Sequence, residues 1–244
     1  MLRRLGARDL ASLAGVDRTC AAAVAATALM KWAKDEKNLP PRLSTFAYRA
    51  PVLCLREACS LAARDGHLEV LKWLHNTGCP WSYATCYFAA EGGHLDVLKW
   101  LHSTGCPWDS RFTCAAAAGG GHLEVLKWLH NSGCPWDSAT SYAAARDGRL
   151  EELKWLHNAR CPWDSGTCSV AARGGHLATL QWAREHDCLW DSGTCAGAAV
   201  GGHLATLQWA REHQCPWNKD YVRASAAHHR HVDMVRWVDE QGGL

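Results

Sequence analysis

Residues 121–140 read GHLEVLKWLHNSGCPWDSAT, and they gather side chains that can ligate, attack or shuttle protons. His122, His130 and Cys134, with Cys114 a short way upstream, have the donor chemistry of a zinc site. Their spacing argues against one. His122 and His130 stand on one helical stretch about 12 Å apart at 1.5 Å per residue, whereas one zinc holds its ligands at about 2 Å. The equivalent positions further along also accept non-ligands, since Arg149 replaces the first histidine and Ser141 replaces the cysteine. No C-x-x-C occurs in the chain. Neither a metal nor any other cofactor is expected.

Nucleophilic catalysis meets the same objection. With 13 cysteines and 14 histidines, Cys/His pairs arise everywhere. An active site, however, is a single constellation of perturbed groups. Here each candidate is copied along the chain. There is no G-x-x-x-x-G-K-[ST] phosphate loop and no dinucleotide fingerprint, and the GGGH at 119–122 is one variant of a recurring turn. No catalytic or cofactor-binding residue is assigned, and the chain reads as non-enzymatic.

The copies define the organisation. HLEVLKWLH at 67–75 returns as HLDVLKWLH at 94 and HLEVLKWLH at 122, then as RLEELKWLH at 149, HLATLQWAREH at 176 and 203, and HVDMVRWVDE at 231. Trp73, Trp100, Trp128, Trp155, Trp182, Trp209 and Trp237 are 27 or 28 residues apart. Trp81, Trp108, Trp136, Trp163, Trp190 and Trp217 keep the same step. Self-similarity at such a period signifies a stacked array, in which each unit contacts only its neighbours.

One unit, 82–108, shows the physics. Thr85–Ala90 is Ala-rich and helix-compatible, with Ser82 or Thr85 as N-cap. Gly92 and Gly93 interrupt it. A second helix is predicted from about His94 to Ser103, with Leu95, Val97, Leu98, Trp100 and Leu101 widening one apolar face and Asp96 and Lys99 on the wetter side. Gly105 closes it and Pro107 prevents continuation. Helices this short are marginal alone, so stability must come from neighbours. The recurring Ala-Ala pairs, such as Ala89-Ala90 and Ala171-Ala172, suit close stacking of the first helices.

The pattern T-x-x-x-A-A-x-x-G-H-L-E-V-L-K resembles the ankyrin repeat, over about seven units from residue 55 onward. The period departs from the ankyrin norm of about 33 residues, and the deficit falls between GCPW and the next threonine. T-P-L-H is also replaced by T-C. The resemblance implies an all-α solenoid of stacked helix–turn–helix repeats, here without β-hairpin fingers. The predicted division is 1–50, an N-terminal helical cap, and 51–244, the array.

Composition bounds the partners. A net charge of +2 with 20% charged residues gives no basic field for nucleic acid, and no apolar run is long enough for a membrane span. Cys79, Cys106, Cys134, Cys161, Cys188 and Cys215 occupy one site in successive repeats. Stacked helices lie about 8–10 Å apart and bridged cysteines need Cα atoms within about 7 Å, so adjacent copies should not pair. No secretory signal is evident, and reduced thiols in a cytoplasmic monomer are expected.

If the repeated residues build the frame, the unrepeated ones carry specificity. The resemblance implies a protein partner on the first-helix face. There the variable positions are Arg64, Tyr87, Phe88, Glu91, Tyr142, Arg146 and Arg173, with Arg111 and Phe112 expected to protrude from the loop that carries the third repeat's extra residue. The aromatic members suit binding hot spots.

The N-terminus lies outside the repeat. L-G-A-R-D-L-A-S-L-A-G-V-D-R-T-C resembles the later part of an F-box, through Leu10, Leu13 and Val16. That resemblance implies docking to a ubiquitin-ligase linker subunit and an alternative role as the substrate adaptor of a cullin-type ligase. The opening L-P-x-E of such boxes is absent. A mitochondrial transit peptide, suggested by Arg3, Arg4 and Arg8, is opposed by Asp9 and Asp17.

Overall fold

The computed structural model describes residues 59–76, 81–108 and 110–241, all helices and short connections, with no strand among the described residues. They fall into two compact units that divide at Asp109/Ser110. The boundary predicted near residue 50 and the F-box-like Leu10, Leu13 and Val16 lie outside the described residues.

In the first unit a helix ending at residue 64 precedes α1 (Leu68–Asn76), and α2 (Tyr83–Glu91) is followed by α3 (Leu95–Ser103). The second unit continues the same alternation. Its first helices are α4 (Ser110–Gly120), α6 (Ser138–Arg146), α8 (Ser165–Arg173), α10 (Ser192–Gly201) and α12 (Lys219–His228). Its second helices are α5 (Leu123–Asn131), α7 (Leu150–Asn158), α9 (Leu177–Glu185), α11 (Leu204–Glu212) and α13 (Val232–Glu240).

Small residues decide how these helices pack. In the second unit the tightest associations run between successive first helices, α4 on α6, α6 on α8, and α8 on α10. Their buried faces are Ala, Cys and Thr: Cys168, Ala171 and Ala172 of α8 are fully buried, as are Cys195, Ala198 and Ala199 of α10. The approach is so close that a Cβ on Gly197 would come within 2.5 Å of the Ser169 carbonyl oxygen. The second helices supply bulk instead, through Leu126, Leu129, Leu153, Leu156, Leu180 and Leu207, none of them solvent-exposed. Each fully buried leucine stabilises by about 1.5–3 kcal/mol.

The turn between the paired helices explains the recurring glycine–histidine signature. His94 Nε2 lies 2.8 Å from the carbonyl of Arg64, thirty residues earlier. His231 does the same to Val200 at 3.2 Å. A carbonyl only accepts, so these rings carry their proton on Nε2. Where the histidine is replaced, Arg149 donates through Nε to Gly119 at 3.0 Å. The glycines make room: a Cβ on Gly201 would meet the Arg173 carbonyl at 2.1 Å, and Gly202, at φ +77, lies under the His231 ring. The first histidine is thus a strut between repeats.

Of two local expectations, the cap at Ser82 holds in position only, and the loop at Arg111 and Phe112 is corrected. Ser82 is the N-cap residue of α2 but its side chain makes no capping bond, and Thr85 is buried with its Oγ1 unpartnered. Capping falls to the aspartate after the loop tryptophan, where Asp137, Asp164 and Asp191 accept from the backbone N–H of Ala139, Gly166 and Gly193. Arg111 and Phe112 do not sit in a loop either. They belong to the first turn of α4, which starts early enough to absorb the extra residue.

Candidate functional site

Two faces of the repeats offer chemistry, and they differ in how far their side chains are already engaged. The first is an aromatic seam built by repeated residues. Within each unit, loop tryptophans meet the helix tryptophan of the following repeat: Trp81 with Trp100 at 5.3 Å between centroids in the first, and in the second Trp136 with Trp155 at 5.5 Å, Trp163 with Trp182 at 5.9 Å and Trp190 with Trp209 at 5.8 Å. The last-turn histidine of the preceding helix then lies on the loop ring, as His75 does on Trp81 at 4.2 Å and His130 on Trp136 at 4.0 Å. Offset and edge-on geometry of this kind contributes about 0.5–1.5 kcal/mol per pair beyond burial. With each of these loop rings engaged by a histidine and by a tryptophan, the seam holds repeats together. Among the described residues no group of three or more His, Cys, Asp or Glu is arranged to hold a metal.

The second face is the outer stripe of the first helices, where the unrepeated residues stand. In the first unit Tyr87 and Phe88 are neighbours on α2, half-buried, with rings perpendicular at 5.2 Å. Glu91 follows one turn later and is half-buried, while Arg64 is exposed. One turn before Tyr87 stands Tyr83, 58% exposed. Tyr83 lies at neither of the variable places singled out in the sequence, those after Thr-Cys and after Ala-Ala, although its position four residues before Tyr87 puts it on the same stripe.

In the second unit Phe112 is 51% exposed at the start of α4, and the Arg111 side chain lies outside the described residues. Tyr142 on α6 is less available than its type suggests. Its hydroxyl donates to Asp164 Oδ1 at 2.5 Å, and its ring covers Gly166, where a Cβ would lie 2.7 Å from the phenol oxygen. Burial and then the Asp164 bond push the Tyr142 hydroxyl above its ordinary pKa. One turn on, Arg146 forms a two-point pair with Asp147, Nε to Oδ1 at 3.0 Å and a terminal nitrogen to Oδ2 at 2.7 Å. Arg173 is exposed at the matching place on α8. The structure therefore clusters Tyr87, Phe88 and Glu91 on one helix, with Tyr142 and Arg146 one turn apart on another. Tyr221, 57% exposed on α12, was also missed.

No helix among the described residues is long and apolar enough to cross a membrane. Compared with models of protein families, residues 59–102 and 86–130 match ankyrin repeats (many copies). No curated protein matches the chain. Residues 59–130 are ankyrin repeats, and this part of the chain is a protein–protein interaction module.

Proposed function

We propose that the chain is a non-enzymatic scaffold that binds a protein partner through the unrepeated positions of its first helices. The observation that carries this reading is the Tyr87–Phe88 pair, two large rings at 5.2 Å held half-exposed on a short helix whose inner face is alanine and cysteine. Such anchors bury large area on binding at little conformational cost, and truncating one typically costs 2 kcal/mol or more in affinity, to order of magnitude. Glu91 and Arg64 supply charged contacts beside the rings. On the second unit the corresponding stripe is Phe112, Tyr142, Arg146 and Arg173, with Arg111 in its first turn.

Affinity capture from native cells with the full chain and with Tyr87→Ala/Phe88→Ala tests this. The double variant should melt like the wild type and lose partners that the wild type retains. Undiminished recovery would remove Tyr87 and Phe88 from the site.

The ligase-adaptor role rests on the sequence of residues 1–38 alone. In the full chain, Leu10→Ala/Leu13→Ala/Val16→Ala should abolish recovery of a cullin-type ligase core if that segment docks a linker subunit. If wild type recovers no such core, the adaptor role falls.

A further inference from the structure

Beyond the partner-binding stripe, the repeats contain a second series of paired functional groups. Each Thr-Cys cysteine on a first helix points at the loop cysteine twenty residues later, two positions before the loop tryptophan. Cys86 Sγ lies 3.5 Å from Cys106 Sγ, and Cys114 Sγ lies 3.2 Å from Cys134 Sγ. Cys168 with Cys188, and Cys195 with Cys215, stand in the same register along the chain and are likewise hydrogen-bonded thiols. All ten described cysteines are buried thiols outside any disulfide. In one repeat the first partner is Ser141, whose hydroxyl donates to Cys161 Sγ at 3.3 Å. That repeat keeps the contact and lacks the second sulfur.

We propose that the paired thiols are an oxidation site, in which a hydroperoxide closes each pair to a disulfide within its own repeat. The sulfurs of Cys86–Cys106 and Cys114–Cys134 need approach only from 3.5 and 3.2 Å to a bond length of about 2.05 Å. The loop cysteines lie under a thin cover: Asp187 and Leu189 flank Cys188 and are exposed, and so are Gln214 and Pro216 around Cys215. The oxidant has to be small, because Cys188 and Cys215 are themselves 1% and 0% exposed.

The two pairs in the Gln-Trp-Ala-Arg-Glu-His repeats are the more reactive. Arg184 and Arg211 reach the carbonyls of Cys188 and Cys215, the latter at 2.5 Å. At Cys188 the hydrogen bond from Cys168 outweighs burial, and with the Arg184 charge it holds the thiol below its ordinary range. The same holds at Cys215, through Cys195 first and Arg211 with it. Thiolate is the attacking species. The Cys188 thiolate attacks one peroxide oxygen, so that an S–O bond forms, the O–O bond breaks and hydroxide leaves to be protonated. The Cys168 sulfur then attacks the sulfenic sulfur. The S–S bond forms, the S–O bond breaks, and the thiol proton leaves with the departing oxygen as water. In total two thiols and one hydrogen peroxide become one disulfide and two waters.

The reduced full-length chain is treated with hydrogen peroxide, quenched with N-ethylmaleimide under denaturing conditions, and analysed by intact mass and non-reducing peptide maps. The expected result is linked peptides Cys168–Cys188 and Cys195–Cys215 first, then Cys86–Cys106 and Cys114–Cys134, each with loss of two hydrogens and a raised Tm. Cys161 should be alkylated throughout, and Ser141→Cys should add a link to it. Arg184→Gln should slow closure of Cys168–Cys188 several-fold and leave Cys114–Cys134 unmoved. Oxygen addition at scattered cysteines, links between molecules, or no link in the folded chain would overturn the proposal.

Discussion

Within the second unit, α5 and α7 belong to one kind of repeat and α9 and α11 to another, and they fill the same space with different side chains. In the first kind Leu129 and Leu156 are fully buried, and His130 and His157 lie over Trp136 and Trp163. In the second kind the leucine becomes Ala183 or Ala210, still fully buried. The histidine becomes Arg184 or Arg211, whose guanidinium lies 4.3 or 4.7 Å over Trp190 or Trp217. His186 and His213 then stack on the helix tryptophans Trp182 and Trp209 at 4.1 and 4.3 Å, with Nδ1 donating to the same residue's carbonyl. The place above the loop tryptophan therefore selects a flat group that can lie on a ring, neutral or charged. The frame is specified by shape, and the charge it carries is free to vary.

The largest effects should come from exchanging the core between the two kinds. Leu129→Ala should cost about 2–5 kcal/mol, as deletions in a closed core do. Ala183→Leu should also destabilise, by about 1–3 kcal/mol of overpacking. Thermal denaturation of both variants checks this, and a stabilised Ala183→Leu would mean the second kind of repeat is merely underfilled. Next comes the turn. Gly202→Ala combines positive φ with a Cβ 2.5 Å from the His231 ring, and about 2–3 kcal/mol is expected. Gly133→Ala, at φ +79 with nothing within 4 Å, should cost about 1 kcal/mol. Arg160, Asp187 and Gln214 already occupy that loop position at φ 61 to 64. Urea melts should separate the two glycines.

Smaller still, Arg184→Ala should lose about 0.5–1 kcal/mol of ring contact, read from the shift in melting temperature. The smallest effect belongs to the exposed pair of Arg223 and Asp239, 2.6 Å apart. The hydrogen bond from Arg223 holds the Asp239 carboxyl below its ordinary value. A lowered folded pKa gives stability that is present above the ordinary carboxylate range and fades as pH falls through it. Asp239→Asn should therefore melt slightly below wild type at neutral pH and level with it in acid.

Much of the frame was legible because period and residue type suffice for it. Leu98 and Leu101 were placed in the core, Asp96 and Lys99 on the wet side, and the second helix to within one residue of its start. What escaped were relations across repeats. The first histidine of a repeat, His94, meets a carbonyl thirty residues back, which no local window contains. Copies of one cysteine site stand a full period apart, whereas the cysteines that touch, such as Cys114 and Cys134, stand twenty residues apart and belong to two different series. The aspartate caps escaped because the unit read for its caps has Ser82 at the place that Asp137 holds in a later repeat. Of the candidate site, the stripe could be read but the engagement of its members could not. Nothing near Tyr142 in sequence announces that its hydroxyl is used by Asp164 of the next repeat.

The central claim is that repeated residues hold the frame and unrepeated first-helix residues meet the partner. Hydrogen-exchange mapping of the full chain, alone and with its recovered partner, tests it most directly. The account predicts slowed exchange centred on α2 at Tyr87 and Phe88, with the segments around Trp136 and Trp163 unchanged. Protection confined to the tryptophan seam, with α2 exchanging as before, would contradict it.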